Sequence, residues 1–323
     1  MSAHAERDAR RVGLAVLLLG SALFSCKAIL IKLAYRQEVS SIALLALRMA
    51  AALPIFLAVG WYRSRGVGFD YRPTRRDYAL LTLAGLSGYY LASYTDFLGL
   101  RYVSAGMERV ILYAYPTLVL LLQWALFGER IRPAQAWAVL ICYGGVGVAF
   151  AEADWSPASD FPLGAGLVFL SALLYAGYVI ASGRLAPKLG TVRFTTIALV
   201  TAGVAVIAHA VAGGEQLLGL APEVYALGAT MGVFCTAIPA YLVTEGIKRI
   251  GAGDAVIVGS VGPAVTIALE YLVLREALTW VQGLGALLIV AGVVVIGRSK
   301  AAAPTPPADP ATAAPVAAAR TPR

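Results

Sequence analysis

Residues 113–135 read YAYPTLVLLLQWALFGERIRPAQ, and residues 260–282 read SVGPAVTIALEYLVLREALTWVQ. Each is an apolar run opened by a proline, Pro116 or Pro263, closed thirteen residues later by a glutamate, Glu129 or Glu276, and followed by Gln135 or Gln282. The two stretches are separated by an offset of 147. Extending that offset outward aligns residues 78–150 with 225–297 without a gap. Sixteen of the 73 aligned positions are identical, where this composition gives about 6 by chance. The chain therefore contains an internal repeat.

Composition sets the environment of that repeat. Of 323 residues, 59% are apolar and 14% charged, with mean hydropathy +0.76. A soluble domain has about a quarter charged residues and less than half apolar, so a cytosolic enzyme is excluded. A helical crossing takes about 20 residues. Apolar runs predict ten of them: 12–35, 41–61, 78–98, 102–127, 134–151, 163–183, 191–212, 223–247, 252–274 and 278–297. Several runs are rich in Val, Gly and Ala, but backbone groups in lipid must pair within their own segment, so they are read as helices. The first run follows Arg7, Arg10 and Arg11 yet is too long for a cleaved signal sequence and has no A-x-A-like site, so it is expected to be retained. Cys26, Cys142 and Cys235 all lie in apolar stretches and suggest neither a disulfide framework nor a CxxC metal site.

Positive charge orients the map. With the N-terminus inside, 19 of the 26 Lys and Arg residues fall in cytoplasmic segments; only Arg36, Arg101 and Arg275 lie outside, and Lys27, Lys32, Arg48 and Arg109 lie within runs. Both termini are expected to be cytoplasmic in a multi-pass protein of the cell membrane. The basic balance is then an orientation signal and not a nucleic-acid footprint. Beyond 297 the tail to residue 323 is Ala- and Pro-rich and expected to be disordered. Five runs per half is an odd number, so the second copy, 163–297, enters the membrane from the side opposite to the first, 12–151. The fold class expected is an all-α membrane protein of ten helices in a five-plus-five inverted repeat. In such proteins two oppositely oriented copies exchange conformations around a central site, as in secondary transporters with alternating access.

Taken together, Pro116 and Glu129 in Gly128-Glu129-Arg130, Pro263 and Glu276 in Arg275-Glu276, the following Gln residues, and the Gly-rich stretches 144–146 and 291–293 resemble the drug/metabolite transporter superfamily, in its two-copy EamA-type branch. Lys32 and Arg48 also stand where that family usually has a Lys and an Arg. The resemblance covers residues 12–297. It implies ten helices around a central cavity and carriage of small organic solutes such as amino acids, metabolites or drugs, often as efflux. The chain departs from the pattern at Arg275, where Gly is usual, and at Phe24, where Trp is common.

Ionisable groups inside a bilayer are costly and need a partner, a wet cavity or a role. Lys32, Arg48, Asp96, Glu108 and Arg109, with Lys27 near the middle of its run, concentrate in the outer half of the first repeat. The counterparts of Asp96, Glu108 and Arg109 at the offset of 147 are Val243, Ala255 and Val256, so one copy alone carries these charges. That asymmetry suits a polar cluster beside a solute path: its basic members suit a carboxylate or phosphate, and a buried carboxylate can exchange a proton. The plainer alternative is a static network such as Arg48 with Glu108. Glu108 and Arg109 are neighbours about 100° apart on a helix, which leaves one of them a structural role. Glu108, Leu112 and Tyr115 share a face, and with Tyr94 they suggest a tyrosine-lined cavity. Pro116 and Pro263 suit hinges, Glu129 and Glu276 suit gating, capping or pairing with a nearby Arg, and Glu245 suits an interfacial pair with Lys248 or Arg249. His209 reads as a packed polar residue. The alternatives to a carrier are a membrane-embedded enzyme or a non-transporting membrane partner; the absence of G-x-x-x-x-G-K-[ST] argues against an ATP-driven pump, and without G-x-S-x-G or H-E-x-x-H no catalytic residues, metal or cofactor are expected.

Overall fold

The computed structural model describes residues 3–64, 73–151, 159–250, 258, 261–276 and 279–301, and every element among them is helical. In chain order these are α1 (Ala3–Tyr35), α2 (Ser41–Ser64), α3 (Arg75–Gly85), α4 (Ala92–Gly99), α5 (Ala105–Leu112), α6 (Tyr115–Phe127) and α7 (Pro133–Ala149). They are followed by α8 (Phe161–Leu189), α9 (Thr191–Ala212), α10 (Pro222–Gly232), α11 (Ile238–Ile250), α12 (Val261–Leu269) and α13 (Trp280–Ala301). A π-helical turn, Leu86–Leu91, joins α3 to α4; another, Val233–Ala237, joins α10 to α11; a third, Glu270–Leu274, extends α12.

Helix occupies all ten apolar runs as far as they are described. By length and composition six segments can cross a membrane: Arg11–Tyr35, Ser41–Tyr62, Ala105–Phe127, Phe161–Ala186, Val192–Ala212 and Pro222–Val243. Pro133–Ala149, Val265–Leu274 and Gly283–Val295 are shorter apolar helices. The helical run from Arg75 to Gly99 is diluted by Ser87, Tyr89, Tyr90, Ser93 and Tyr94. The start of run 252–274 and tail residues 302–323 lie outside the described residues, and α13 carries on past the expected boundary at 297 to Ala301.

Local chemistry sets the helix ends. Thr74 and Asp77 form a reciprocal cap on α3, with Asp77 N donating to Thr74 Oγ1 at 3.2 Å and Thr74 N donating to Asp77 Oδ2 at 2.8 Å. Ser104 caps α5 by accepting from Met107 N at 3.2 Å. α5 stops at Leu112 and α6 starts at Tyr115, with Pro116 in its first turn, where its missing N–H costs nothing. The carbonyl of Ala114, at that break, accepts from the Thr117 hydroxyl at 2.7 Å. α6 ends on Gly128 at φ 65°, and the third π turn ends on Arg275 at φ 61°. These two positions are counterparts at the offset of 147, so the arginine holds a left-handed conformation that suits glycine.

Small residues set the packing, as close helix contact in lipid requires. α7 and α13 run antiparallel in contact: a Cβ on Gly145 would lie 2.7 Å from the Gly285 carbonyl oxygen and 2.9 Å from Ile289, and one on Gly292 would lie 2.7 Å from the Ala138 carbonyl oxygen and 3.1 Å from Cys142 Cβ. Shifting Gly145, Gly285 and Ile289 by 147 turns one set into the other. Gly99 and Gly246, also counterparts at 147, each seat on a first helix, Gly246 on Leu17 and Gly13 of α1 and Gly99 on Val168 and Gly164 of α8, partners related by a shift of 151. Each of these first helices packs on the opposite copy: α1 on α11 and α12, α8 on α4, α5 and α6. The largest buried cluster, including Ile31, Leu44, Leu45, Met49, Phe97, Leu100 and Met231, lies between α1, α2, α4, α9 and α10.

A buried ion cluster at the junction of the two copies

The sequence candidates meet on the faces of α1, α4 and α5. Lys27 of α1 stands 2.5 Å from Asp96 Oδ2 of α4 and 3.3 Å from Glu108 Oε1 of α5, and Arg109 Nε is 3.7 Å from Glu108 Oε2. Asp96 is 2% exposed and Glu108 0%. Glu108 sits in the first turn of α5, where the positive end of the helix favours a carboxylate. Neither of its oxygens accepts a hydrogen bond, and Asp96 Oδ1 also lacks one. Buried acceptors left in this state are costly, so the cluster is closed and incompletely satisfied.

Arg109 turns away from α5 to tie the copies together. Its Nε donates to Thr266 Oγ1 of α12 at 3.1 Å and its guanidinium donates to the Phe24 carbonyl of α1. Thr266 in turn donates to the Ser25 carbonyl at 3.2 Å, and Ser25 Oγ donates to the Gly262 carbonyl at 3.0 Å. Of the adjacent pair Glu108 and Arg109, the arginine is therefore the one that fastens helix to helix, yet its flexible side chain still reaches its neighbour's carboxylate.

Arg48 does not partner Glu108. It projects from α2 toward the π turn after α10, where its Nε donates to Thr236 Oγ1 at 2.8 Å and its guanidinium lies 5.5 Å from the centre of the Phe97 ring. Thr236 is itself held by donating to the Met231 carbonyl at 2.9 Å, five residues back, a bond the π turn permits. Arg48 Nη1 is buried without a partner.

Other candidates lie outside this cluster. Half-buried Lys32 has no carboxylate within 4 Å among the described residues. Glu270, only 1% exposed, accepts from Gly106 N at 2.8 Å and so caps α5 from the other copy, while its Oε1 is unpartnered. Tyr94 packs edge-on against His209 at 5.1 Å, and His209 Nδ1 is 2.9 Å from Tyr90 Oη, so this histidine is a packed polar residue. Tyr115 stands edge-on to Tyr175 at 5.1 Å, in a series that continues to Tyr178 and Tyr89. Neither tyrosine bonds to the ion cluster among the described residues. Glu129 is exposed, 3.7 Å from Arg184; Glu276 is exposed; Glu245 pairs with Arg249 at 3.0 Å. No three His, Cys, Asp or Glu among the described residues group as metal ligands.

Mid-run depth is the one signal the sequence carries for Lys27, and Thr236, Thr266, Ser25 and Phe97 are not distinguishable there as anchors. The threonines carry none, because a hydroxyl inside an apolar helix most often returns to its own backbone.

A helical bundle of this hydropathy, with charged side chains gathered at the junction of two repeated halves, defines a multi-pass membrane transporter. The chain belongs to the EamA-like transporter family, whose model matches residues 11–151 and again 162–298. It is 31% identical over 284 residues to the uncharacterized transporter YcbK of Bacillus subtilis (strain 168), covering 84% of this chain and 88% of that protein. An uncharacterized transporter of Archaeoglobus fulgidus is 27% identical over 243 residues, 75% of this chain and 83% of that one. A solved crystal structure shares the fold with TM-score 0.59 at 22% identity, covering 91% of this chain and 99% of the other. Family and relatives point to a transporter and not an enzyme.

Proposed function

We propose that this protein is a secondary carrier of the cell membrane that exports a small organic solute by alternating access. In this reading the chain crosses the bilayer ten times as two five-helix copies of opposite orientation, 12–151 and 163–297, with both termini in the cytoplasm. The observation that carries it is the buried cluster of Lys27, Asp96, Glu108 and Arg109, built on α1, α4 and α5 and fastened through Thr266 to α12 of the other copy. Charges at such a junction are remade when the copies rock. The antiparallel, self-matching contact of α7 and α13 supports the inverted relation. Exchange of Lys27 between the two carboxylates and a solute or proton couples the motion to a gradient.

Pro116, at the α5–α6 break, and Pro263, early in α12, serve as hinges in this scheme. Glu270 on the N-terminus of α5 latches the end where Arg101 donates to Ser41 Oγ at 2.9 Å, the outer end by the charge rule. Glu129 and Glu276, exposed at opposite ends of the bundle, flank the gates. A counterflow screen of amino acids, nucleosides, sugars and drugs in proteoliposomes tests the proposal. A solute exchanged by the wild type and lost in Glu108→Gln and Lys27→Met is expected. Wild-type rates in both variants would show that the cluster only holds helices together, and absence of any flux would refute the carrier.

A further inference from the structure

Inside the bundle, between its two ends, the described ionisable residues are Lys27, Lys32, Arg48 and Arg109 with Asp96, Glu108 and Glu270. Asp96 and Glu108 are engaged by Lys27 and Arg109, whereas neither half-buried Lys32 nor buried Arg48 has a carboxylate within 4 Å among the described residues. Arg48 is also 5% exposed, so water does not stand in for an anion. A guanidinium keeps its charge in proteins, and holding one unpaired away from water is strongly unfavourable. A carrier that needed only to pack helices here would be more stable with an apolar side chain of similar volume.

The way Arg48 is held explains what that cost secures. Its Nε is fixed on Thr236, itself fixed on Met231, and Phe97 lies beside the guanidinium, so the side chain is positioned before any ligand arrives. The Nη1 left without a partner is on the planar fork that matches carboxylate and phosphate oxygens. We infer that the transported solute bears one anionic group, a carboxylate or phosphate, which docks on the buried Arg48 guanidinium. This rests on the carrier reading of the same cluster and narrows it to a class of solute.

The test uses purified full-length protein. Thermal unfolding is followed in sodium benzoate, inorganic phosphate, sodium chloride and uncharged benzamide at equal concentration, with wild type, Arg48→Gln and Thr236→Val. Benzoate or phosphate is expected to raise the midpoint of the wild type where benzamide does not. Arg48→Gln is expected to weaken that binding about tenfold or more, the effect of losing a charge-assisted hydrogen bond. Thr236→Val, which frees Nε without removing charge, is expected to weaken it less, and it decides the matter if Arg48→Gln does not fold. Equal response to benzoate, phosphate and benzamide, anion binding untouched in the variants, or a response to chloride alone overturns the inference. In proteoliposomes, exchange of a solute without an anionic group at wild-type rate in Arg48→Gln overturns it while leaving the carrier intact. Arg48-dependent anion binding without flux of any solute overturns the carrier and leaves the site.

Discussion

Arg275 offers a clean measurement because its conformation, and not its contacts, is unusual. It holds φ 61° and ψ 24° at a helix end where its counterpart Gly128 holds φ 65° and ψ 19°. Left-handed backbone costs an L-residue about 1–2 kcal/mol through crowding of Cβ against the carbonyl. Glycine escapes that cost but loses more chain entropy on folding, about 0.5–1 kcal/mol relative to alanine. The Arg275 side chain is exposed and makes no hydrogen bond or ion pair among the described residues, so the backbone terms dominate the balance. Arg275→Gly is therefore expected to stabilise the protein by about 1 kcal/mol. Gly128→Ala is expected to destabilise it by about as much, and here too the effect is conformational, because a Cβ at Gly128 meets nothing within 4 Å. Reversible unfolding in mixed detergent, followed by tryptophan fluorescence, reads both variants against wild type. Equal or lower stability of Arg275→Gly together with an unaffected Gly128→Ala would refute the reasoning.

Lys27→Met strands Asp96 and Glu108 beside each other with one cation fewer; a loss of about 3–5 kcal/mol is expected, and adding Asp96→Asn should restore part of it in the same unfolding assay. Gly292→Val drives a side chain into Ala138 and Cys142, where Cβ clearances are 2.7 and 3.1 Å, and should cost about 1–3 kcal/mol. Gly144→Ala, inside α7 and with nothing within 4 Å, should instead stabilise by about 0.5–1 kcal/mol. Glu270→Gln weakens the cap on Gly106 N, and hydrogen exchange at amides 105–112 should quicken, while amides 133–149 of α7 keep their wild-type rates.

What the sequence made legible was set by one-dimensional signals. Hydropathy located the helices, because a chain in lipid has no cheaper way to pair its backbone. The repeat at offset 147 located the counterparts, and the left-handed conformation shared by Gly128 and Arg275 lies on that same register. Depth along each run gathers Asp96 and Glu108 in the outer half and leaves Lys27 near the middle, so their meeting was not legible from depth alone. Which cation meets which carboxylate was not legible, since it depends on the rotation of α1, α2 and α5 about their own axes, and Arg48 turned out to face Thr236 instead of Glu108. The π turns at Leu86–Leu91 and Val233–Ala237, at matching places in both copies, carry no composition signature. One of them sets Thr236 under Arg48. Tyr94 and Tyr115 were read as one lining, but the bundle sends them to different neighbours, His209 and Tyr175.

The contact of α7 with α13 reaches beyond packing. Since Gly145 meets Gly285 and Ile289 while Gly292 meets Ala138 and Cys142, each helix is both lock and key for the other. A side chain added at either glycine meets the backbone of the facing helix, and the relation holds twice with the partners exchanged, so one substitution rule governs both ends of the seam.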